Sequence, residues 1–328
     1  MKKLIFFLFL TPLVFISFAA AAPKIILQQK VPKIPTAFLL FSDHPEVLYQ
    51  NGLLFSAGII PLRPVRLNYY HQDGKGQPER MLLVYLENLH SIPAVISYIK
   101  ASPPSSDSIM ETGHKATRQF LEKYSAKLQK IANIPPLHIK VLSKRILKQN
   151  QLDTGFIQIQ ELKGSPLLLV VESQKLNQPV QRTYVKQYSN DPHAKGGYTL
   201  PHLFFSAAYR IGDPEEIVSL GDLPLPNLLP GKPLKGCYGM IWEGRIQIFN
   251  PYSSTKTVSF WFEPRGGSAT GTFFLNHKLF TFHYTAPYQK KMIETFRLKP
   301  ESCKTIHFLS MPEGGSSYPV DFLIRGEN

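Results

Sequence analysis

Thr257-Val258-Ser259-Phe260-Trp261-Phe262-Glu263 is the stretch that decides the fold. Val258, Phe260 and Phe262 alternate with Ser259, Trp261 and Glu263, and a period of two marks a β-strand with one buried face. Phe280, Phe282 and Tyr284 repeat the pattern, as do Tyr318, Val320, Phe322 and Ile324. Around them, Tyr238 to Trp242, Arg245 to Phe249, Thr272 to Leu275, Lys291 to Leu298 and Thr305 to Leu309 read as further short strands at near-regular spacing. That spacing predicts a β-sandwich over 237–328.

Upstream, 212–236 is rich in proline and has no period, so it is read as a linker between two domains. Residues 23–211 then form a first domain that is also rich in β-structure. Thr36 to Phe41, Leu62 to Tyr70, Arg80 to Glu87, Ile92 to Lys100, Leu137 to Leu142, Gly155 to Leu162, Pro166 to Glu172, Val180 to Tyr188 and His202 to Ile211 have strand length and composition. Asn51-Gly52 suits a two-residue turn and predicts a hairpin between Glu46–Gln50 and Leu53–Ala57. The polar stretch His71 to Pro78 predicts a second hairpin between its flanking strands.

One helix is expected, over 111–133. Phe120, Tyr124, Leu128 and Ile131 share a face, with Ala116 and Leu121 at its margins, which is the 3.6-residue period of an amphipathic helix. Pro135 and Pro136 are its expected stop. Lys123, Lys127 and Lys130 form a basic row beside that stripe, and Lys140, Lys144, Arg145 and Lys148 follow closely.

The net charge of +14 is unevenly spread. Basic residues outnumber acidic ones about two to one over 23–210 and are level with them over 211–328. A field of that sign attracts anions over roughly 10 Å at moderate salt. The compartment narrows the choice of anion. Lys2 and Lys3 precede an apolar run from Leu4 to Phe18 that ends in Ala19 to Ala22, the order of a secretory signal peptide over residues 1–22. An exported protein, periplasmic, cell-surface or secreted, meets envelope polymers, lipid head groups and protein partners, and meets nucleic acid only after its release from cells. No later segment is long and apolar enough to predict a membrane-spanning helix. In such a compartment Cys237 and Cys303 are expected to pair as a disulfide, worth roughly 4 kcal/mol on the chain-entropy view.

Catalytic patterns are not legible. The histidines never fall at metal-binding spacing, so no metal is expected, and the best local cluster is Asp191, His193 and His202 near a glycine-containing loop. Ser253-Ser254-Thr255-Lys256 has Ser-x-x-Lys spacing but precedes a strand rather than opening a helix. Gly266 to Gly271 lacks the glycine of a nucleophile elbow, and no glycine-rich run leads into a helix that would cradle phosphate. No cofactor is implied. Trp261, on the polar face of its strand, and Arg265, beside Gly266-Gly267, are candidate ligand contacts, and Pro312 to Ser316 forms a second glycine-rich loop.

The last part of the chain resembles the immunoglobulin-like modules of bacterial exported proteins. The likeness is carried by Ile248-Phe249-Asn250-Pro251 leading through Ser253 to Lys256 into a strand, and by Leu298-Lys299-Pro300-Glu301 leading into another. It implies an immunoglobulin-like sandwich that acts as spacer, adhesive unit or binding platform, and it assigns no functional residue.

The reading is therefore a mainly β, two-domain exported protein without a catalytic signature. It binds an anionic polymer or a protein partner through its basic first domain, with Lys123, Lys127, Lys130 and Arg145 as candidate contacts. Its rivals are a hydrolase of envelope polysaccharide with a site between the domains, and a structural subunit of a surface assembly.

Overall fold

A computed structural model describes residues 38–59, 61–176, 184–185 and 191–327. The signal peptide expected over residues 1–22 and most of the strand expected at Val180 to Tyr188 lie outside the described residues. In chain order the elements are β1 (Phe38–Ser42), β2 (Val47–Leu48), β3 (Gly52–Ile59), β4 (Val65–Asp73), β5 (Arg80–Asn88), β6 (Ala94–Ala101), α1 (Ile109–Ser125), β7 (Lys130–Ile134), β8 (Ile139–Leu147), β9 (Leu152–Lys163), β10 (Leu167–Lys175) and β11 (Lys195–Tyr198). They continue with β12 (His202–Arg210), β13 (Glu216–Leu220), β14 (Ile241–Phe249), β15 (Lys256–Pro264), β16 (Ala269–Leu275), β17 (Lys278–Thr285), β18 (Lys291–Leu298), β19 (Cys303–Ser310) and β20 (Val320–Glu327). The protein is mainly β.

The strands form four sheets, in the orders β11-β1-β4-β9-β6-β7, β3-β10-β5-β8, β12-β14-β19-β16-β17 and β13-β20-β15-β18, with β2 paired to β4. The first two sheets share one core, with Leu67, Leu82, Ile96, Ile157 and Leu169 at its centre. The last two share another, around Ile246, Phe260, Phe273, Phe308 and Phe322. Each pair is a sandwich. Numbering β3 to β10 from one to eight, the two sheets read 1-8-3-6 and 2-7-4-5, and β13 to β20 numbered the same way give the same two orders. In both sandwiches one further strand runs parallel to the second of the eight, β1 to β4 and β12 to β14. This is the eight-strand double-sheet jelly-roll arrangement, present twice.

Several expectations are corrected by this order. The immunoglobulin sandwich sets four strands against three in another sequence. The turns that suggested it are real but local: the Asn250 amide donates to the carbonyls of Ser254, Leu298 and Lys299 and so ties two loops together without setting strand order. Neither early hairpin forms. The chain crosses between sheets at Asn51-Gly52 and again between β4 and β5; the Asn51 side chain accepts from the Ser173 hydroxyl instead of shaping a two-residue turn. The stretch 212–236, read as a linker, contains β13, which pairs with β20.

The helix ends at Ser125, not at Asn133. Lys127 takes a left-handed backbone at φ 53°, and the amides of Lys127 and Leu128 return to the carbonyls of Tyr124 and Lys123, which closes the helix with a Schellman motif. A lysine at the position usually held by glycine hides that stop from the sequence. Beyond it, β7 pairs with β6, so Leu128 and Ile131 are exposed rather than packed, and Lys127 and Lys130 do not continue a helical row. Ala116, Phe120 and Leu121 are buried as expected. Their environment is not one sheet: they pack against Ile99 and Phe156 of the first sandwich and Phe274, Leu309 and Met311 of the second.

The expected disulfide is absent. Cys237 precedes β14, whereas Cys303 lies opposite Phe249 at the far end of that strand. Roughly 3.3 Å of rise per residue separates them by far more than the 7 Å a disulfide spans. The Cys237 thiol is buried, donates to the Leu223 carbonyl at 2.7 Å, and burial pushes its pKa up to about 12.

The two sandwiches meet on the outer face of the first sheet. Leu39 and Phe41 of β1 point into the second core, while Leu40 between them points into the first, which is why β1 is apolar throughout. On β4, Arg66 is buried in the same seam. Its guanidinium donates to the Pro201 carbonyl at 2.5 Å, to the Gly239 carbonyl at 2.9 Å and to the Gln158 side chain at 2.8 and 3.2 Å, and it sits 5.2 Å over the Phe120 ring. Further along, Gly113 of α1 lies so close to Gly314 that a Cβ would reach its carbonyl oxygen. His114 donates to buried Glu313 at 2.8 Å.

Replacing Arg66 with Met would leave the Gly239 carbonyl and the Gln158 side-chain oxygen at the seam without donors, while the Pro201 carbonyl would keep only the Ile241 amide at 3.0 Å. At about 1–3 kcal/mol per unsatisfied buried group, denaturant titration should register a loss of at least about 2 kcal/mol. Arg66→Lys should recover little of it, because one ammonium cannot reach three acceptors set in a fork. A midpoint unchanged in Arg66→Met would mean that this guanidinium does not hold the seam.

Candidate functional site

A cavity of about 620 Å³ opens where α1 ends, between the two sheets of the first sandwich. Tyr98 and Lys100 of β6, Lys130 of β7, Leu142 of β8 and Gln119 and Lys123 of α1 line it, with Ser102, Leu128 and Gln129 from the adjoining loops. Its wall is therefore built from three amines, two amides, a hydroxyl and a phenol. Lys100 is in phase with Ile96 and Tyr98 on its strand, so the alternation that buries Ile96 and half-buries Tyr98 also turns the lysine inward. Its pKa is lowered, first by burial and then by the nearby Arg145, against which Asp153 works in the opposite direction; the charges of Lys123 and Lys130 lower it further. The Lys123 amine donates to the Lys100 carbonyl at 2.7 Å.

Beneath these cations lies a buried acid. Asp153 of β9 is 1% exposed and is in phase with Ile157 and Ile159, the buried stripe of its strand. Burial raises its pKa to about 7, opposed in part by the charges of Arg145 and Lys100 and by the Tyr69 hydroxyl. Tyr69 also bonds Ser102 at 3.0 Å and Ser143 at 3.3 Å, and Arg145 donates to the Ser102 carbonyl at 2.8 Å. The mouth of the first sandwich thus carries an excess of positive charge over one titratable carboxyl. Such a site suits an anion with hydrogen-bonding groups of its own.

Among the residues singled out in the sequence, Lys123 and Lys130 meet in this cavity and Arg145 adjoins it. Lys127 does not join them: it lines a second cavity, of about 470 Å³, between the sandwiches. Trp261 is half-buried on β15 and donates from its indole to Ser259 at 2.8 Å. Arg265 is ion-paired with Asp321 at 3.2 Å and lies over the Tyr288 ring at 5.2 Å. Neither borders the basic mouth. The sequence reading missed Tyr98, Lys100, Gln119, Gln129 and Asp153. For Lys100 and Asp153 a signal exists, because each is a charge in phase with the apolar stripe of its own strand.

The cavity between the sandwiches is lined by Tyr124, Gln158, Glu243, His277 and His307 among others. Glu243 is its one carboxylate and is engaged by His202 at 2.9 Å, so the paired carboxyls of glycoside hydrolysis are not found in it. His202 is accordingly distant in role from Asp191 and His193, with which the sequence reading grouped it.

Those two join a different cluster. Asp191 accepts from the His193 ring at 2.6 Å and from the backbone amides of His193 at 2.9 Å and Glu46 at 3.2 Å, and the other ring nitrogen of His193 faces Glu46. Asp43, 8% exposed, stands beside them; burial first, then the charges of Glu46 and Asp191, push its carboxyl well above the usual range. With Phe41, Asn68, Tyr70, Tyr238 and the Gly314-Gly315-Ser316 loop they enclose about 170 Å³. The glycine-rich loop noted in the sequence is therefore a wall of this pocket.

No family model matches the chain, and no curated protein sequence matches it. Among solved structures it is similar to Lac15 from a marine microbial metagenome, at 10% identity over 88% of this chain and 61% of that one, with a TM-score of 0.16. It is also similar to the N-terminal CBM22-1-CBM22-2 tandem domain of Xyn10C from Paenibacillus barcinonensis, at 10% identity over 79% of this chain and 74% of that one, with a TM-score of 0.15. The chain thus spans about three fifths of the length of Lac15. Scores at this level carry no argument, and the reading of the site rests on its own geometry. No helix among the described residues is long and apolar enough to cross a membrane.

The Asp153 carboxyl makes stability depend on pH in a defined direction. Its folded pKa, about 7, lies above the ordinary carboxyl value of 3.8, so the native state keeps a proton that the unfolded chain releases. Stability from this group is full below pH 4 and is lost as pH rises to about 7. Asp153→Asn should remove that loss, so that the variant gains on the wild type between pH 4 and pH 8, by up to about 4 kcal/mol. Parallel denaturation curves for the two proteins across that range would refute the assignment.

Proposed function

We propose that the chain is an exported, two-domain binding protein that takes up an acidic glycan at the mouth of its first sandwich. The observation that carries the reading is the convergence of Lys100, Lys123 and Lys130 on one open cavity, where Arg145, Lys123 and Lys130 all help to lower the Lys100 pKa. Cations held together against their mutual repulsion are relieved by a bound anion. Tyr98 offers a flat apolar surface, and Gln119, Gln129 and Ser102 offer donors and acceptors, which suits a sugar carrying carboxylate or sulfate better than a lipid head group. The signal-peptide pattern of residues 1–22 supports a location where such polymers occur. In this reading the second sandwich serves as a rigid support, braced through Arg66 and α1.

Surface plasmon resonance on immobilised alginate, a polymer of uronic acids, with neutral dextran and anionic vesicles as comparators, tests the proposal. Binding should be confined to the acidic glycan and should weaken steeply as salt rises. Lys123→Gln combined with Lys130→Gln should weaken it about tenfold or more, with the fold intact, as expected for loss of two charge-assisted contacts. Equal binding to dextran, preference for the vesicles, or an affinity untouched by the double substitution would each exclude the glycan reading.

A further inference from the structure

Asp43, Glu46 and His193 lie at one edge of the seam, apart from the basic mouth. From their geometry we infer that these three side chains bind a single divalent first-row metal ion, with zinc as the best-matched member of the class. This site is independent of the glycan reading.

The three ligand atoms, one from each side chain, lie within 4.8 Å of one another. A single point can then lie within about 2.8 Å of all three, against about 2.0–2.2 Å for zinc bonded to imidazole nitrogen or carboxylate oxygen, so small side-chain rotations close the site. The backbone already sets this spacing. β1 ends at Ser42, which pairs with Lys195 of antiparallel β11, so Asp43 and His193 leave the same ladder just beyond its last rung. Glu46 is anchored through its amide to Asp191 at 3.2 Å.

Two observations point to a ligand beyond the clustering of acids. Asp43 is 8% exposed and lines the 170 Å³ pocket, and its Oδ1 accepts no hydrogen bond from the described residues. A buried carboxylate oxygen without a donor is costly, and a cation supplies what it lacks. The second is the mounting of His193. Asp191 receives its Nδ1–H at 2.6 Å and its backbone amide at 2.9 Å, which fixes the ring and turns Nε2 toward Glu46. A carboxylate behind the far nitrogen of a histidine is how proteins orient a metal-binding imidazole. Without an ion, Nε2 must carry a proton to meet Glu46; an ion takes that proton's place and draws in Asp43 as well.

The donor set defines the class. One imidazole and two carboxylates, without sulfur, exclude a preference for cuprous ion and disfavour calcium and magnesium, which take oxygen alone. Three protein ligands leave a fourth position facing the space bounded by Asn68, Tyr70, Tyr238 and Ser316, which has room for water.

The test is a titration of the chelator-stripped full chain with Zn²⁺ in competition with a chromophoric chelator, together with melting curves with and without Zn²⁺. One equivalent should bind and raise the melting temperature. Asp43→Asn should lower the affinity at least tenfold and, because it removes a carboxyl that is costly to bury beside Glu46 and Asp191, should melt no lower than the wild type in the absence of Zn²⁺. His193→Gln should also lose the ion; if it does not fold, Glu46→Gln provides the same reading. A His277→Gln/His307→Gln variant, which removes the stacked pair of histidine rings 6.4 Å apart on the second sandwich, should bind as the wild type does. No binding by the wild type, binding that survives Asp43→Asn, or binding lost only in the His277/His307 variant would overturn the assignment.

Discussion

A single buried guanidinium sets the relation between the two halves of this protein. Arg66 leaves the outer face of the first sheet and meets a carbonyl from the entry to β12, another from the entry to β14, and a glutamine on the neighbouring strand β9. Burial lowers its pKa to about 10, which still leaves it charged at neutral pH. A buried charge that faces neutral acceptors is tolerable only when all of them are held in place. The constraint therefore runs outward from Arg66: the sandwiches must meet at one angle, and Phe120 must lie under the guanidinium. With Phe120 fixed, α1 lies between the two halves, and its last turn delivers Lys123 to the mouth of the first sandwich.

The repeated strand order explains which parts of the fold were legible in the sequence. Strand existence was legible in the second sandwich, because Val258, Phe260 and Phe262 are fully buried as their alternation requires. Pairing was not. In the order 1-8-3-6 over 2-7-4-5 only the fourth and fifth strands are both adjacent in sequence and paired, so a hairpin inference fails nearly everywhere else. A hairpin does form between β16 and β17, where Asn276 and His277 both take positive φ, but not at Asn51-Gly52, where it was expected and where the chain crosses between sheets. The duplication itself left no trace as a short repeat, since each unit spans well over a hundred residues and α1 interrupts only the first.

The candidate sites show the same division. Lys123, Lys130 and Arg145 were readable as a basic run, but Lys100 and Asp153 became visible only once their strands were known to turn them inward. Metal-ligand spacing was absent from the sequence because Asp43 and His193 are brought together by β1 and β11 pairing across more than a hundred residues. The disulfide inference failed for the converse reason. The expected export and the cysteine number favoured it, and the length of β14 forbids it.

The central claim is that one cavity, and not the general positive charge of the first half, receives the anion. Amine labelling of the native protein, read by mass spectrometry with and without a uronic acid oligomer, tests it most directly. The account requires protection of Lys100, Lys123 and Lys130, with Lys144 and Lys148 on the neighbouring strand and turn, and Lys299 on the second sandwich, labelled as before. Protection spread evenly over the exposed lysines, or absent from those three, would contradict it.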